Sequence, residues 1–330
     1  MILYFINRII SNIMKKLTFL SILASSVWMF SCQSEEDNFG DDFKTLGKNE
    51  VVYLDLNQKP ISIDRLNPTA RTKNGSPYSV IMYSAEYLTA PGSADMGKTV
   101  IFSDRGNKQL DVDFSPFFTL DGSSDISYYV DQMRPASTLP LLQTGTAIER
   151  AVNTWENAKC SEIGLNRVGN IPLPIGIVAG AFGFPSVSAY VADVNHCGWM
   201  PGAFFEVLEP GGSEFILGVT FTFLLVDENG DVIDTNKDGK FDVGLREIYY
   251  NDDFTWSDNG SDFDVETIAL HEMGHGLSQA HFGKGFIKKN GQVQFAPRAV
   301  MNAAYSIVQR KISGTDLGGH CSIWGNWPKK

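Results

Sequence analysis

Apolar residues follow two rhythms along this chain. Short runs at Val51–Leu54, Tyr78–Tyr83 and Thr99–Phe102 are set off by the turn signals Asn74-Gly75 and Arg105-Gly106-Asn107, a pattern that predicts strands. From Thr146 to Ala158 the spacing changes. Ala147, Ile148, Ala151, Val152 and Trp155 recur at helical intervals. Strands are then expected at Gly164–Val168, Ile175–Ala179 and Ser188–Val194, and again at Arg246–Tyr250. Phe215–Val226 is the strongest run, apolar on both faces, so both faces must be buried. Ile268, Ala269 and Leu270 belong to a further helix that Asp262 or Asp264 can cap and that Gly276, Ser278 and Gly283 tend to end. Strands and helices mixed in this order predict an α+β protein.

Composition adds bounds. The 330 residues suffice for one sizeable domain and a smaller N-terminal region, with 43% hydrophobic residues as in ordinary globular proteins. The formal net charge of −11 argues against nucleic acid or an anionic membrane surface as partner. Met14-Lys15-Lys16 followed by apolar Leu17–Phe30 reads as a basic n-region and an h-region, short for a membrane span. Residues 33–49 are polar and acidic and read as a tether, 50–124 as a β-rich region, and 125–330 as the main domain.

The chemistry concentrates in His271-Glu272-Met273-Gly274-His275, which fits H-E-x-x-H. On a helix, positions i and i+4 share a face, so His271 and His275 can direct two imidazoles at one ion. Glu272 can hold a water on that ion. Neutral imidazoles suit zinc, which in catalytic sites keeps three protein ligands and one open position. A third ligand must come from downstream, where no glutamate lies between Met273 and Lys330. His281, Asp316 and His320 are the candidates, and His281 ranks first because the helix ends just before it.

These residues resemble the metzincins, whose signature is H-E-x-x-H-x-x-G-x-x-H with a methionine-containing turn after it. Arg298–Tyr305 resembles that turn, with Met301 as its methionine, and Ile312–Gly325 is similar to the last helix of the matrixin branch. The family glycine falls on Ser278; if φ is positive there, the serine costs about 1 kcal/mol. The resemblance covers roughly 125–327. It implies a twisted mixed sheet with two long helices over a zinc cleft and a small C-terminal subdomain with one helix. It also implies that His271, His275 and His281 hold Zn2+, that Glu272 is the catalytic base, that Met301 floors the site and that Tyr305 lines the specificity pocket. Phe215–Val226 becomes the edge strand of the cleft, where an extended peptide substrate adds as a further strand. Residues 50–124 take the place of a possible pro-segment, without the cysteine that matrixins use for latency. Phe39-Gly40-Asp41 is read as a linker turn and not as a latency aspartate.

Met29-Phe30-Ser31-Cys32 resembles a bacterial lipobox, and Gln33–Asp37 is similar to the surface-export tag of Bacteroidetes lipoproteins. Cys32 is thus the expected lipidation site, residues 1–32 the signal segment, and the outer membrane, at the cell surface, the expected location. A transmembrane anchor or an ordinary secretory signal is the alternative. Cys160, Cys197 and Cys321 remain, and a comparable disulfide in astacins implies Cys160–Cys321, with Cys197 a buried free thiol.

Asp234, Asn236, Asp238, Lys240 and Asp242 match the first nine positions of a D-x-N-x-D-G-x-x-D loop, which suits Ca2+; a plain acidic hairpin turn is the alternative, because Leu245 stands where a bidentate glutamate belongs. His196 has no histidine nearby to complete a second zinc site and is read as a hydrogen-bonded loop residue. The function expected is a zinc-dependent endopeptidase acting on protein or peptide at or outside the cell surface. Toxin-like action on host proteins is one variant of this. The rival is a non-enzymatic surface lipoprotein, an adhesin or binding module with structural metals. A structural zinc site would not need Glu272 and would fill the fourth position.

Overall fold

The structure is a computed structural model that describes residues 43–45, 51–53, 58–63, 78–93, 96–102, 112–120, 122–288, 290 and 292–329. The signal segment with Cys32, most of the tether and both turn signals at 74–75 and 105–107 lie outside these residues. Among the described residues no helix is long and apolar enough to cross a membrane.

The elements are β1 (Val51–Tyr53), β2 (Ser79–Thr89), β3 (Thr99–Ile101), β4 (Ile126–Val130), α1 (Leu141–Glu156), β5 (Leu165–Arg167), α2 (Ile177–Ala181), β6 (Val194–Met200), α3 (Gly202–Leu208), β7 (Ile216–Val226), β8 (Phe241–Asn251), α4 (Val265–Gly276), a hairpin of β9 (Lys284–Lys288) and β10 (Val293–Ala296), and α5 (Gly314–Trp324). The protein is α+β. Its main sheet runs β1-β3-β2-β7-β8-β6-β4-β5. The four strands β8, β6, β4 and β5 run parallel to one another, whereas β7 is antiparallel to both β2 and β8.

One expectation is corrected here. β7 is a central strand, not an edge. It pairs with β8 on one side, and on the other with β2 along its whole length, from Ile216 opposite Thr89 to Val226 opposite Ser79. An extended peptide therefore has no free β7 edge to join. The apolar pattern of β7 called for two buried faces, which an edge strand and a central strand satisfy equally; the pattern is silent on the neighbours. The sheet also runs across the boundary expected at 124, since β1, β2 and β3 share it with β4 to β8.

Two local assignments change as well. Ile175–Ala179 was expected as a strand, but Ile177–Ala181 is a short helix. The buried carboxylate of Glu247 accepts the N–H groups of Ile177 and Val178 and satisfies two donors that a helix start leaves open. The third strand of the parallel set is Val194–Met200 instead of Ser188–Val194, and all of it is buried. His196 thus lies in a strand. Its Nδ1 is 2.8 Å from the Tyr250 hydroxyl, and burial pulls its pKa down to about 3, so it is neutral. Among the described residues it belongs to no group placed to hold a metal ion.

The two longer helices pack on one face of the sheet. The Trp155 indole of α1 donates to Leu270 O of α4 at 2.8 Å, and the Trp324 indole of α5 donates to Leu277 O at 2.9 Å. The opposite face buries Phe204 and Phe205 of α3 against Phe221 and Tyr249. Cys160, just after α1, and Cys321 of α5 form a disulfide with a Cα–Cα distance of 5.5 Å, and Cys197 is a buried free thiol. The disulfide closes a loop across most of the described chain. Cys160→Ser with Cys321→Ser is expected to lower the unfolding free energy by about 2–5 kcal/mol. Denaturant unfolding checks this, and an unchanged midpoint would contradict it.

Candidate metal centre

Helix α4 begins where Asp264 accepts the N–H of Thr267 at 2.9 Å. Of the two capping candidates Asp264 takes the position, and Arg310 pairs with its carboxylate. Val265 to Gly276 are all buried, so the helix carries His271 and His275 inside the molecule, one turn apart.

The chain reverses directly after this helix. Ser278 adopts φ 68°, the left-handed conformation that a glycine would take without strain. The strain is offset locally, because the Arg246 guanidinium donates to Ser278 Oγ at 3.0 Å and to Gly276 O at 2.8 Å. His281 is thereby returned to the helix. The three Nε2 atoms lie 3.0 Å apart for His271–His275 and 3.1 Å for His281 to each of the others. Among the described residues this is the one group of three or more His, Cys, Asp or Glu placed to hold a metal ion.

The donor set fits a cation. His271 Nδ1 is 2.7 Å from Val300 O and His275 Nδ1 is 2.8 Å from Gln279 O; each ring donates there and keeps its Nε2 lone pair free. Burial, and then the charge of His275, hold His271 well below the usual imidazole range; for His281 the causes are burial, then His275 and His271. Ligands at about 2.0–2.1 Å from a tetrahedral zinc are about 3.3 Å apart, close to the spacing seen. The residues fit zinc, one of the divalent ions that accept imidazole.

Glu272 lies on the sheet side of the helix. Its Oε2 accepts the Thr220 hydroxyl at 2.6 Å, and its backbone carbonyl lies 3.2 Å from the same hydroxyl. A Cβ at Gly218 would come within 2.8 Å of Glu272 Oε1, so the sheet must be bare at that position. Burial raises the Glu272 carboxyl to about 7, with His275 and Thr220 pulling the other way. A group with that pKa both accepts and returns a proton near neutral pH.

The floor of the site is Met301, fully buried. A Cβ at Gly274 would lie 2.2 Å from Met301 Sδ, so glycine in the helix lets the methionine approach. Asp316, an alternative third ligand, serves this turn instead: its carboxylate accepts Val300 N and Met301 N, both at 3.1 Å. His320, the other alternative, stacks on Trp155 and pairs with Ser161. Tyr305 lines a cavity of about 500 Å³ with Phe254, Phe263, Asp253 and Asp262.

In the loop that sequence marks as a calcium candidate, the carboxylates meet the loop's own backbone. Asp234 accepts the N–H groups of Lys237, Asp238 and Gly239, and Asp238 takes Asn236 Nδ2 and Lys240 N. Asp242 turns inward to Thr235 N. The carboxylates close the loop on its own backbone and do not gather around one point as the histidines do.

Three neighbours of the centre escaped the sequence reading: Thr220, Arg246 and Glu86. Thr220 and Arg246 are polar positions in largely apolar strands, with Thr222 and Glu247 close by, and Glu86 is the one acid in Ser79–Thr89. A polar residue at an interior strand position was the available signal. What each touches depends on strand register, which the signal lacks. Compared with known proteins, the chain matches no family model and no curated sequence.

Proposed function

We propose that the protein is a zinc-dependent endopeptidase with a metzincin-type catalytic domain, anchored through Cys32 and acting on proteins at or outside the cell surface. The observation that carries this reading is the convergence of His271, His275 and His281 with the Glu272 carboxylate held beside them. A bound zinc would polarise the scissile carbonyl and bring the pKa of a water toward neutrality. Glu272 takes a proton from the attacking water and hands it to the leaving amine. Thr220 holds the carboxylate in place for both transfers. Met301 fills the space under the histidines and excludes water from below.

With both edges of β7 paired, substrate approaches from the side on which His281 keeps part of its surface. The aromatic and acidic cavity at Tyr305 receives a substrate side chain. Metal removal is the test. Cleavage of a denatured protein such as casein is expected to fall to background after chelation and to return with added zinc; cleavage indifferent to chelation would contradict the reading. The complete burial of Glu272 is the observation that favours the second reading, a surface lipoprotein whose metal is structural. Tight zinc with no cleavage would select it.

A further inference from the structure

Strand β2 comes from the part of the chain that precedes the main domain in sequence, yet it reaches the metal centre. Glu86, in its middle, stands directly opposite Thr220 of β7. Thr220 faces α4, because its hydroxyl meets Glu272, and a residue directly opposite on the next strand faces the same way. The Glu86 carboxylate accordingly lies with Oε2 3.0 Å from His275 Nδ1. It is buried, its Oε1 has no hydrogen-bond partner, and its ion pair is with this imidazole. The nearby guanidinium of Arg246 is committed to Thr222, Gly276 and Ser278. A carboxylate left buried with one imidazole N–H is costly unless positive charge stands behind that imidazole. His275 has its Nε2 on the metal side, so a bound cation supplies that charge.

We infer that Glu86 is a positioning residue of the metal centre: it shares the His275 Nδ1–H with Gln279 O, helps hold the ring, and by its charge strengthens Nε2 as a ligand. A single rung of the sheet, Glu86 opposite Thr220, thereby orients both a metal ligand and the catalytic carboxylate. Residues 79–89 are a working part of the centre, not a segment discarded before activity. The inference rests on the metal reading of the three histidines and extends it to a fourth residue.

The test is zinc affinity of the full chain, measured by competition with a chromogenic chelator, for the parent, Glu86→Gln and Glu86→Asp. Loss of a carboxylate that supports a ligating histidine weakens metal binding about 10–100-fold. Glu86→Gln is expected to show that loss, and Glu86→Asp, which keeps the charge, to recover part of it. Visible spectra of the cobalt-loaded proteins are expected to shift in Glu86→Gln, as they do when a ligand field changes. Thermal unfolding of the metal-free forms separates a folding defect from a weakened site: Glu86→Gln is expected to unfold near the parent temperature. Equal zinc affinity in parent and Glu86→Gln would overturn the inference and leave the peptidase reading standing. Equal losses in the Gln and Asp variants would overturn it too, since shape and not charge would then matter. A parent that holds no zinc would overturn the metal reading together with it.

Discussion

Glu272→Ala is expected to lose about 10²–10⁴-fold in kcat on a peptide substrate while binding zinc as the parent does. The three imidazoles reach the metal position without help from Glu272: His271 Nδ1 meets Val300 O, and His275 Nδ1 meets Gln279 O and Glu86. The metal site therefore survives the substitution, and only proton transfer is removed. The helix survives as well, because alanine favours the helical state and the hydroxyl of Thr220 keeps Glu272's backbone carbonyl position as an acceptor. A loss carried by kcat with KM little changed is the signature of a group that acts in the transition state. Steady-state kinetics on a quenched peptide, paired with zinc analysis of the same sample, reads both. A variant that keeps a tenth or more of the parent kcat would remove Glu272 from the mechanism.

The largest stability effect is expected at Arg246. This side chain is buried at 2% exposure between the sheet and the end of α4. It donates to Thr222 Oγ1, Gly276 O and Ser278 Oγ, and its guanidinium lies 5.3 Å from the centre of the Phe114 ring. Burial pulls its pKa down to about 10, which still leaves it charged at neutral pH. Arg246→Met fills much of the same space but leaves these acceptors dry. Each unsatisfied buried acceptor costs about 1–3 kcal/mol, so the unfolding free energy is expected to drop by about 3–5 kcal/mol. Zinc affinity is expected to fall too, because Ser278 loses the bond that steadies its left-handed backbone and with it the route to His281. Urea unfolding of the metal-free protein measures the first effect; a change below about 1 kcal/mol would contradict it.

What the sequence disclosed and what it withheld differ for a physical reason. The i, i+4 spacing of His271 and His275 is local, and a helix turns it into geometry without reference to the rest of the chain. Asp264 as cap and the apolar stripe from Ala147 to Trp155 are local in the same sense, although α1 starts earlier, at Leu141 after Pro140. Ile175–Ala179 misled because a short buried run looks alike in a strand and in a helix, and the deciding group, Glu247, lies some seventy residues on. His196 looked like a loop residue. In the fold Asn195 bonds Ala192 O and Arg246 O, and His196 meets Tyr250, so polar side chains are satisfied inside a buried parallel strand. Glu86 was beyond reach for the same reason. Its meaning comes from standing opposite Thr220, and strand register between distant segments is set by the whole sheet.

The most direct measurement is the appearance of new amino termini in casein incubated with the zinc-loaded protein, set beside the zinc-loaded Glu272→Ala variant. New termini that accumulate with the parent and stay at background with the variant, each holding about one zinc per chain, are the expected result. A folded, zinc-loaded parent that generates no termini would contradict the peptidase reading and leave a surface protein with a structural metal.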